Sequence, residues 1–286
     1  MATLPNTRIF EEEWKVRLQE ELDEPNKWKD ICNVEYTNSK VIHNPYLTDA
    51  TVQTGERDTP YTFQAVVQTD ESTIINTYKV LAQFIDRADL AQSTYASQME
   101  LATRQGILTN EAIESSVYAA YGSMTTFDNS SIGGAAGSIT LSVTNVDDVI
   151  RGIRRKIAEA SGQTLFERNG GFVVWQPKHL ELVEAFAQAN GFNLSDQTLR
   201  NPSLGKNGGF DYMGLTHYSS NLLTEDHCVG GVKKLIHLGI LRSTYGQLVV
   251  TEDPQNRSGM GVVTRVDYKT MVWNKTKALI FNLFID

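Results

Sequence analysis

Apolar side chains along Ile9 to Leu22 recur every four positions, at Phe10, Trp14, Leu18 and Leu22, which aligns them on one stripe of a helix whose other faces are mostly charged. Pro25 and the polar residues after it end that amphipathic segment, because proline cannot continue a helix interior. From there to Asp70 the chain is rich in Thr, Asn, Gln, Asp and Pro and has only short apolar runs. The stretch VIHNPYLTDATVQTGERDTPYTFQAVV predicts an extended or hairpin excursion that buries little within itself and needs a partner to cover it. Thr73 to Ile85 fits two periods, a helix through Ile74, Tyr78, Leu81 and Ile85 or a strand through Ile74, Tyr78, Val80 and Phe84. Its β-branched content selects the strand.

Asp86 or Asp89 can then cap a long helix reaching about Tyr121, with Gly106 as a bend or break. The Gly/Ser-rich SMTTFDNSSIGGAAGSITLSV reads as a connection and a short strand, and makes residues 122–140 the best internal boundary. Asn145 is placed to open the next helix, with Asp147 and Asp148 in its first turn, Val146, Val149, Ile150, Ile153 and Ile157 on its buried stripe, and its basic residues later. GGFVVWQP predicts a buried strand stopped by Pro177. HLELVEAFAQANG predicts a helix with Leu180, Val183 and Phe186 inward and Gly191 as its stop. MGLTHYSS, VGGVKKLIHLG, STYGQLVVTED, GVVTRVDYKTMVW and KALIFNLFI each read as one strand. The pattern is that of an α+β protein ending in antiparallel pairs.

Composition narrows the function classes. At 286 residues, 41% hydrophobic and 21% charged, the chain can bury a core in one large or two smaller domains. A net charge of −8 and a pI near 5.2 give no overall footprint for sequence-independent nucleic-acid binding. The local basic cluster Arg151, Arg154, Arg155 and Lys156 suits a solvated helix face near the negative dipole end. Two cysteines, Cys32 and Cys228, make no disulfide framework and fit a reducing cytoplasm. The acidic N-terminal stretch has no apolar core of signal-peptide length, and no run of 18 apolar residues occurs.

Candidate chemistry is thin. Gly133, Gly134 and Gly137 lack the lysine and hydroxyl of a phosphate-binding loop. His217, His227, Cys228 and His237 match no common metal-ligand spacing. Ser138 lies outside a G-x-S-x-G elbow. No catalytic residue, cofactor or metal is expected.

The order strand, NVDDVIRGIRRKIAEA helix, GGFVVWQP strand, helix, then NPSLGKNGGFDYMGLTHYSSNLL resembles the axial domain of tailed-bacteriophage major capsid proteins of the Hong Kong 97 type. The residues that carry the match are Gly205, Gly209, Gly214, Tyr218, Ser220, Asn221 and Leu222. The resemblance extends over the whole chain in order. It implies an N-terminal arm over residues 1–40, an extended loop over 41–87, a peripheral domain with a long spine helix over 88–138 and 243–286, and an axial domain over 139–242.

The function so implied is self-assembly through hexamers and pentamers into an icosahedral head, built in the host cytoplasm and enclosing double-stranded DNA without sequence-specific binding. A portal and a separate scaffolding protein are the further expected partners, since no fused scaffolding segment precedes the arm. Candidate contact residues are Phe10 and Trp14 in the arm and Arg57 and Asp58 at the loop tip. The alternatives are an encapsulin-type nanocompartment of the same fold and a soluble α+β enzyme whose site carries no motif. The loop has no lysine between Lys40 and Lys79, so it cannot supply the amine for the lysine–asparagine cross-link of the namesake shell. Particles of this protein should run as a single band on a denaturing gel; a ladder of cross-linked species would contradict this.

Overall fold

A computed structural model describes residues 26–55, 57–58, 60–86, 97–189, 210–245, 248–252 and 259–286. Phe10, Trp14, the predicted arm helix, the start of the long helix, Gly191, Gly205 and Gly209 lie outside these residues. The chain enters the body through a single helical turn, α1 (Trp28–Ile31), and continues directly into β1 (Cys32–Thr37). The predicted excursion is a hairpin, β2 (Val41–Leu47) and β3 (Gln68–Ile74), paired Val41 to Ile74 through Leu47 to Gln68. Strand β4 (Thr77–Asp86) follows after a turn at Ile75 and Asn76, so the ambiguous Thr73–Ile85 segment is strand on both sides of that turn.

Helix α2 (Ser97–Ala119) ends in a 3₁₀ turn at Ala120–Ser123. Gly106 was expected to bend or break it, yet the helix runs through without interruption. A mid-helix glycine costs only about 1 kcal/mol, and docking offsets that cost. Ile113 and Val117 are buried, the Gln105 side chain donates to Gln83 and to the Val262 carbonyl, and Thr264 donates to Gln105.

After β5 (Thr125–Phe127) come α3 (Val146–Glu159), α4 (Gln163–Asn169), β6 (Gly171–Trp175) and α5 (Pro177–Ala189). The predicted stripe of α3 is fully buried. Asn145 does not cap it through its side chain. Its amide instead accepts from the Ser142 N–H and donates to the Thr140 carbonyl, stapling the preceding turn. The strand stops two residues before Pro177 as expected, and Pro177 is also the first residue of α5, a position where the missing N–H costs nothing. Val183 of α5 is buried, with Leu180 and Phe186 packed against the core.

The remaining strands are β7 (Phe210–Tyr212), β8 (Leu215–Ser219), β9 (His227–Val232), β10 (Ile236–Leu241), β11 (Leu248–Glu252), β12 (Gly259–Val272) and β13 (Ile280–Phe284). They complete two sheets. One runs β5-β13-β9-β6-β8-β7 and is packed by α3, α4 and α5. The other runs β1-β10-β12-β11, with β4 also paired to β12.

VGGVKKLIHLG was expected to be one strand and is two, each in a different sheet. The handover is the turn at Lys233 and Lys234, where Lys234 has φ +65. There the Lys233 N–H donates to Gly170 on one side and the Lys234 N–H to Ile31 on the other. Cys32–Thr37 and Ile236–Leu241 thus lie in the sheet of β12, while Ile280–Phe284 pairs with β9.

Gly231, at φ +144, brings β9 so close to the last strand that a Cβ would meet the Leu279 carbonyl oxygen at 2.3 Å and the Ile280 Cα at 2.9 Å. Because those are backbone atoms, Gly231→Ala should destabilise the fold by about 3 kcal/mol or more. Chemical denaturation of the variant checks it; a loss below about 1 kcal/mol would show that the two strands can part without cost.

Candidate subunit-contact surfaces

The surface that stands out is the loop beyond the hairpin. Every described residue from Thr48 to Val67 is exposed. Among them Val52 is 95% exposed, Phe63 85%, Val66 77% and Tyr61 74%. Free-standing apolar side chains at such density are unusual for a surface that stays in water. Arg57 and Asp58 lie in the turn at the tip, exposed as expected.

The loop has two sides. In β2 and β3, Ile42, Asn44, Tyr46, Thr69, Glu71 and Thr73 are buried or half-buried toward the body, and their neighbours are exposed. Extended chains alternate sides. The body-facing side therefore continues outward through Ala50, Val52, Tyr61, Phe63, Ala65 and Val67, and the Tyr61 and Phe63 rings touch edge-on at 5.2 Å as same-side neighbours do. Beneath the hairpin root the body supports this side with a small separate core of Ile42, Ile75, Met271 and Trp273. Glu71 accepts from the Asn274 N–H at 3.1 Å, and Lys275 lies 3.7 Å from Asp49. Past Asp49 no described residue of the body covers the apolar side.

A second uncovered surface is the face of β4 turned away from α2, where Tyr78 and Val80 are exposed and the Arg265 guanidinium sits 4.6 Å from the Tyr78 ring. The basic cluster on α3 is a solvated face: Arg151 pairs with Asp147, Arg155 and Lys156 approach Glu159, and Arg154 lies over the Phe166 ring.

Lys27 and the turn α1 are fixed by charges that the sequence did not single out. Glu114, buried on α2, accepts from the Lys27 N–H at 2.9 Å and the Tyr118 hydroxyl at 2.7 Å. The Lys27 ammonium donates to the Ser219 carbonyl. Asp30 takes Lys233 at 2.8 Å together with the Tyr218 hydroxyl. Burial alone would raise the Asp30 carboxyl, but these hydrogen bonds hold it below its usual range. Tyr218, one of the residues behind the family resemblance, thus ties α1 to the six-stranded sheet through Asp30. Ser220 is buried, and Gly214 takes φ +77 in the β7–β8 turn.

Possible reaction centres are poorly equipped. Cys228 Sγ is 3.6 Å from His179 Nδ1, but burial pushes the thiol up to about 12 and the imidazole down to about 4, leaving both neutral rather than a thiolate–imidazolium pair. His227 stacks on Tyr121 and His237 meets the Trp273 ring. His217 is buried, with Trp175 Nε1–H donating to its Nδ1 at 2.8 Å. Among the described residues no three His, Cys, Asp or Glu side chains gather to hold a metal. A cleft of about 610 Å³ between Glu71–Thr73, Ala119–Ser123 and Lys269–Asn274 contains neither His nor Cys in its lining.

This architecture, with its hairpin loop, long helix and two mixed sheets, is the Hong Kong 97-type capsid fold. No protein-family model and no curated protein sequence matches the chain. Its likeness is to solved structures. A chain of Mycobacterium phage Che8 superposes with a TM-score of 0.61 at 17% identity, covering 85% of this chain and 84% of that one. The capsid of Ralstonia phage GP4 gives 0.64 at 8% identity over 92% of each chain. A virus-like particle from Pyrococcus furiosus gives 0.54 at 12% identity over 90% and 91%.

Burial holds the His217 imidazole at about 4, well below its ordinary value. The unfolded chain therefore takes up the proton first as pH falls. The stability that neutral His217 carries is complete above about pH 6.5 and is lost on the way down to about pH 4, up to about 3 kcal/mol. Denaturation midpoints measured across that window should fall less steeply for His217→Gln than for the wild type; parallel profiles would contradict the assignment.

Proposed function

We propose that this chain is a non-enzymatic shell subunit, the major capsid protein of a phage, which closes through hexamers and pentamers into an icosahedral head around double-stranded DNA. The observation that carries this reading is the overhanging loop. Its apolar side is continuous with the side that the hairpin turns to its own body, yet beyond Asp49 no described residue covers it. A second copy of the chain is the occupant that repeats at every position of a shell, and each large apolar side chain so covered contributes about 1.5–3 kcal/mol. The same fold in capsid structures, over nine-tenths of the chain in the Ralstonia phage case, supports it.

In this reading residues 1–40 are the arm, with Phe10 and Trp14 as its contacts, and 41–87 are the extended loop. The sequences around the spine helix and the closing strands form the peripheral part, and 139–242 form the axial part. Arg57 and Asp58 at the tip add exposed charge pairs of under about 1 kcal/mol each, so either is dispensable alone. A portal and a separate scaffolding protein complete assembly in the host cytoplasm, and the product is the phage head.

A nanocompartment that encloses protein cargo is the second reading, supported by the likeness to the Pyrococcus furiosus particle. The likenesses to phage capsids reach higher TM-scores, up to 0.64 against 0.54.

Negative-stain microscopy with size-exclusion chromatography of the purified chain should show hexamers, pentamers or closed shells. Phe63→Asp should abolish closed shells while shifting unfolding by no more than about 0.5 kcal/mol, since the side chain touches no core residue. A monomer under every condition, or normal shells from the variant, would overturn the proposal; nucleic acid or protein inside the particle separates its two forms.

A further inference from the structure

The distal loop is neither a ladder nor an irregular coil. Strands β2 and β3 end at the pair Leu47 and Gln68, and a last backbone bond runs from the Thr48 N–H to the Val67 carbonyl at 2.9 Å. Counting outward in that register sets Thr51 opposite Gln64 and Gln53 opposite Thr62. Those are the residues that meet, but not backbone to backbone. The Gln64 side chain accepts from the Thr51 N–H at 2.8 Å and donates to the Thr51 carbonyl at 2.9 Å. The Gln53 side chain accepts from the Thr62 N–H at 3.1 Å and donates to the Thr62 carbonyl at 2.8 Å.

A primary amide carries one acceptor and two donors on one planar group. It can therefore satisfy both backbone groups of a facing residue at once, as an opposing strand residue would. Two such bridges, one from each arm and two residues apart, keep the arms in register while holding their backbones farther apart than a β-ladder does. A one-residue slip would turn every side chain to the opposite side. The bridges oppose that slip in a segment that has no core beneath it to specify register.

We propose that Gln53 and Gln64 are positioning residues for assembly: their side-chain bridges pre-organise the overhanging loop so that Ala50, Val52, Tyr61, Phe63, Ala65 and Val67 form one continuous docking side for a second copy of the chain. The inference rests on the shell-subunit reading. Without the bridges the arms must be ordered during docking, and that ordering is subtracted from the affinity of each contact. The glutamines hold the side chains that touch the neighbour; they are not themselves the apolar contact.

The test compares wild type with the full-length double variant Gln53→Ala and Gln64→Ala. Three readings are taken: amide hydrogen exchange at Thr51 and Thr62 in unassembled chain, the unfolding midpoint, and the lowest protein concentration that yields shells. The expected result is faster exchange at both amides, an unchanged midpoint, and an assembly threshold raised on the order of tenfold. Unchanged exchange would show that the bridges do not form in solution, and faster exchange with an unchanged threshold would show that they do not position the loop; either overturns the proposal. Failure of the wild type to assemble under any condition would instead overturn the shell-subunit reading, and this inference with it.

Discussion

Strand β12 carries hydrogen-bonded neighbours along both edges, and the rest of the architecture hangs on that pairing. Met260–Thr264 face β11 on one edge and β4 on the other, and Tyr268 pairs with both Ile240 and Thr77. With both sides of its backbone occupied, β12 cannot slide without breaking two ladders at once. Its exit at Met271 and Trp273 supplies half of the small core under the hairpin, and Asn274 and Lys275 supply the polar ties to Glu71 and Asp49. The overhanging loop is therefore aimed by the sheet. Its direction is a property of the body, whereas its internal register is a property of the loop.

The surroundings of α1 are organised by charge. Lys27, just before α1, donates its backbone N–H to Glu114 of α2, and Asp30 within α1 is held by Lys233. Lys27 and Glu114 are buried, so removing either takes a hydrogen-bond partner from the other in a place where water does not readily replace it. The lysine turn that feeds this network is also where the chain changes sheets, so topology and electrostatics are settled by the same two residues.

Much of this was legible in the sequence because its signals are periodic and local. The stripe Val146–Ile157 reads correctly since a 3.6-residue repeat of β-branched residues admits one buried face, and GGFVVWQP reads correctly since a short apolar run bounded by glycine and proline fits a buried strand. The misreadings share a cause, which is tertiary context. Gly106 stays helical because Gln105 and Ile113 dock on the sheet. VGGVKKLIHLG looks continuous because the break rests on a left-handed lysine, a residue with no turn propensity of its own. The exposed loop was half legible: an excursion that buries little was readable from its polarity, but its two-sidedness appears only once the register is known. Gln53 and Gln64 look like ordinary polar loop residues until each is set opposite a threonine.

Both cysteines are buried, Cys32 next to α1 and Cys228 within the six-stranded sheet, and burial pushes both thiols up to about 12. A thiol so placed is neither nucleophilic nor readily oxidised. The folded chain therefore offers no reactive thiol to an oxidising medium. For the same reason, a single cysteine introduced at the exposed tip of the loop would be the sole reactive thiol on the folded chain, an addressable point at one defined place.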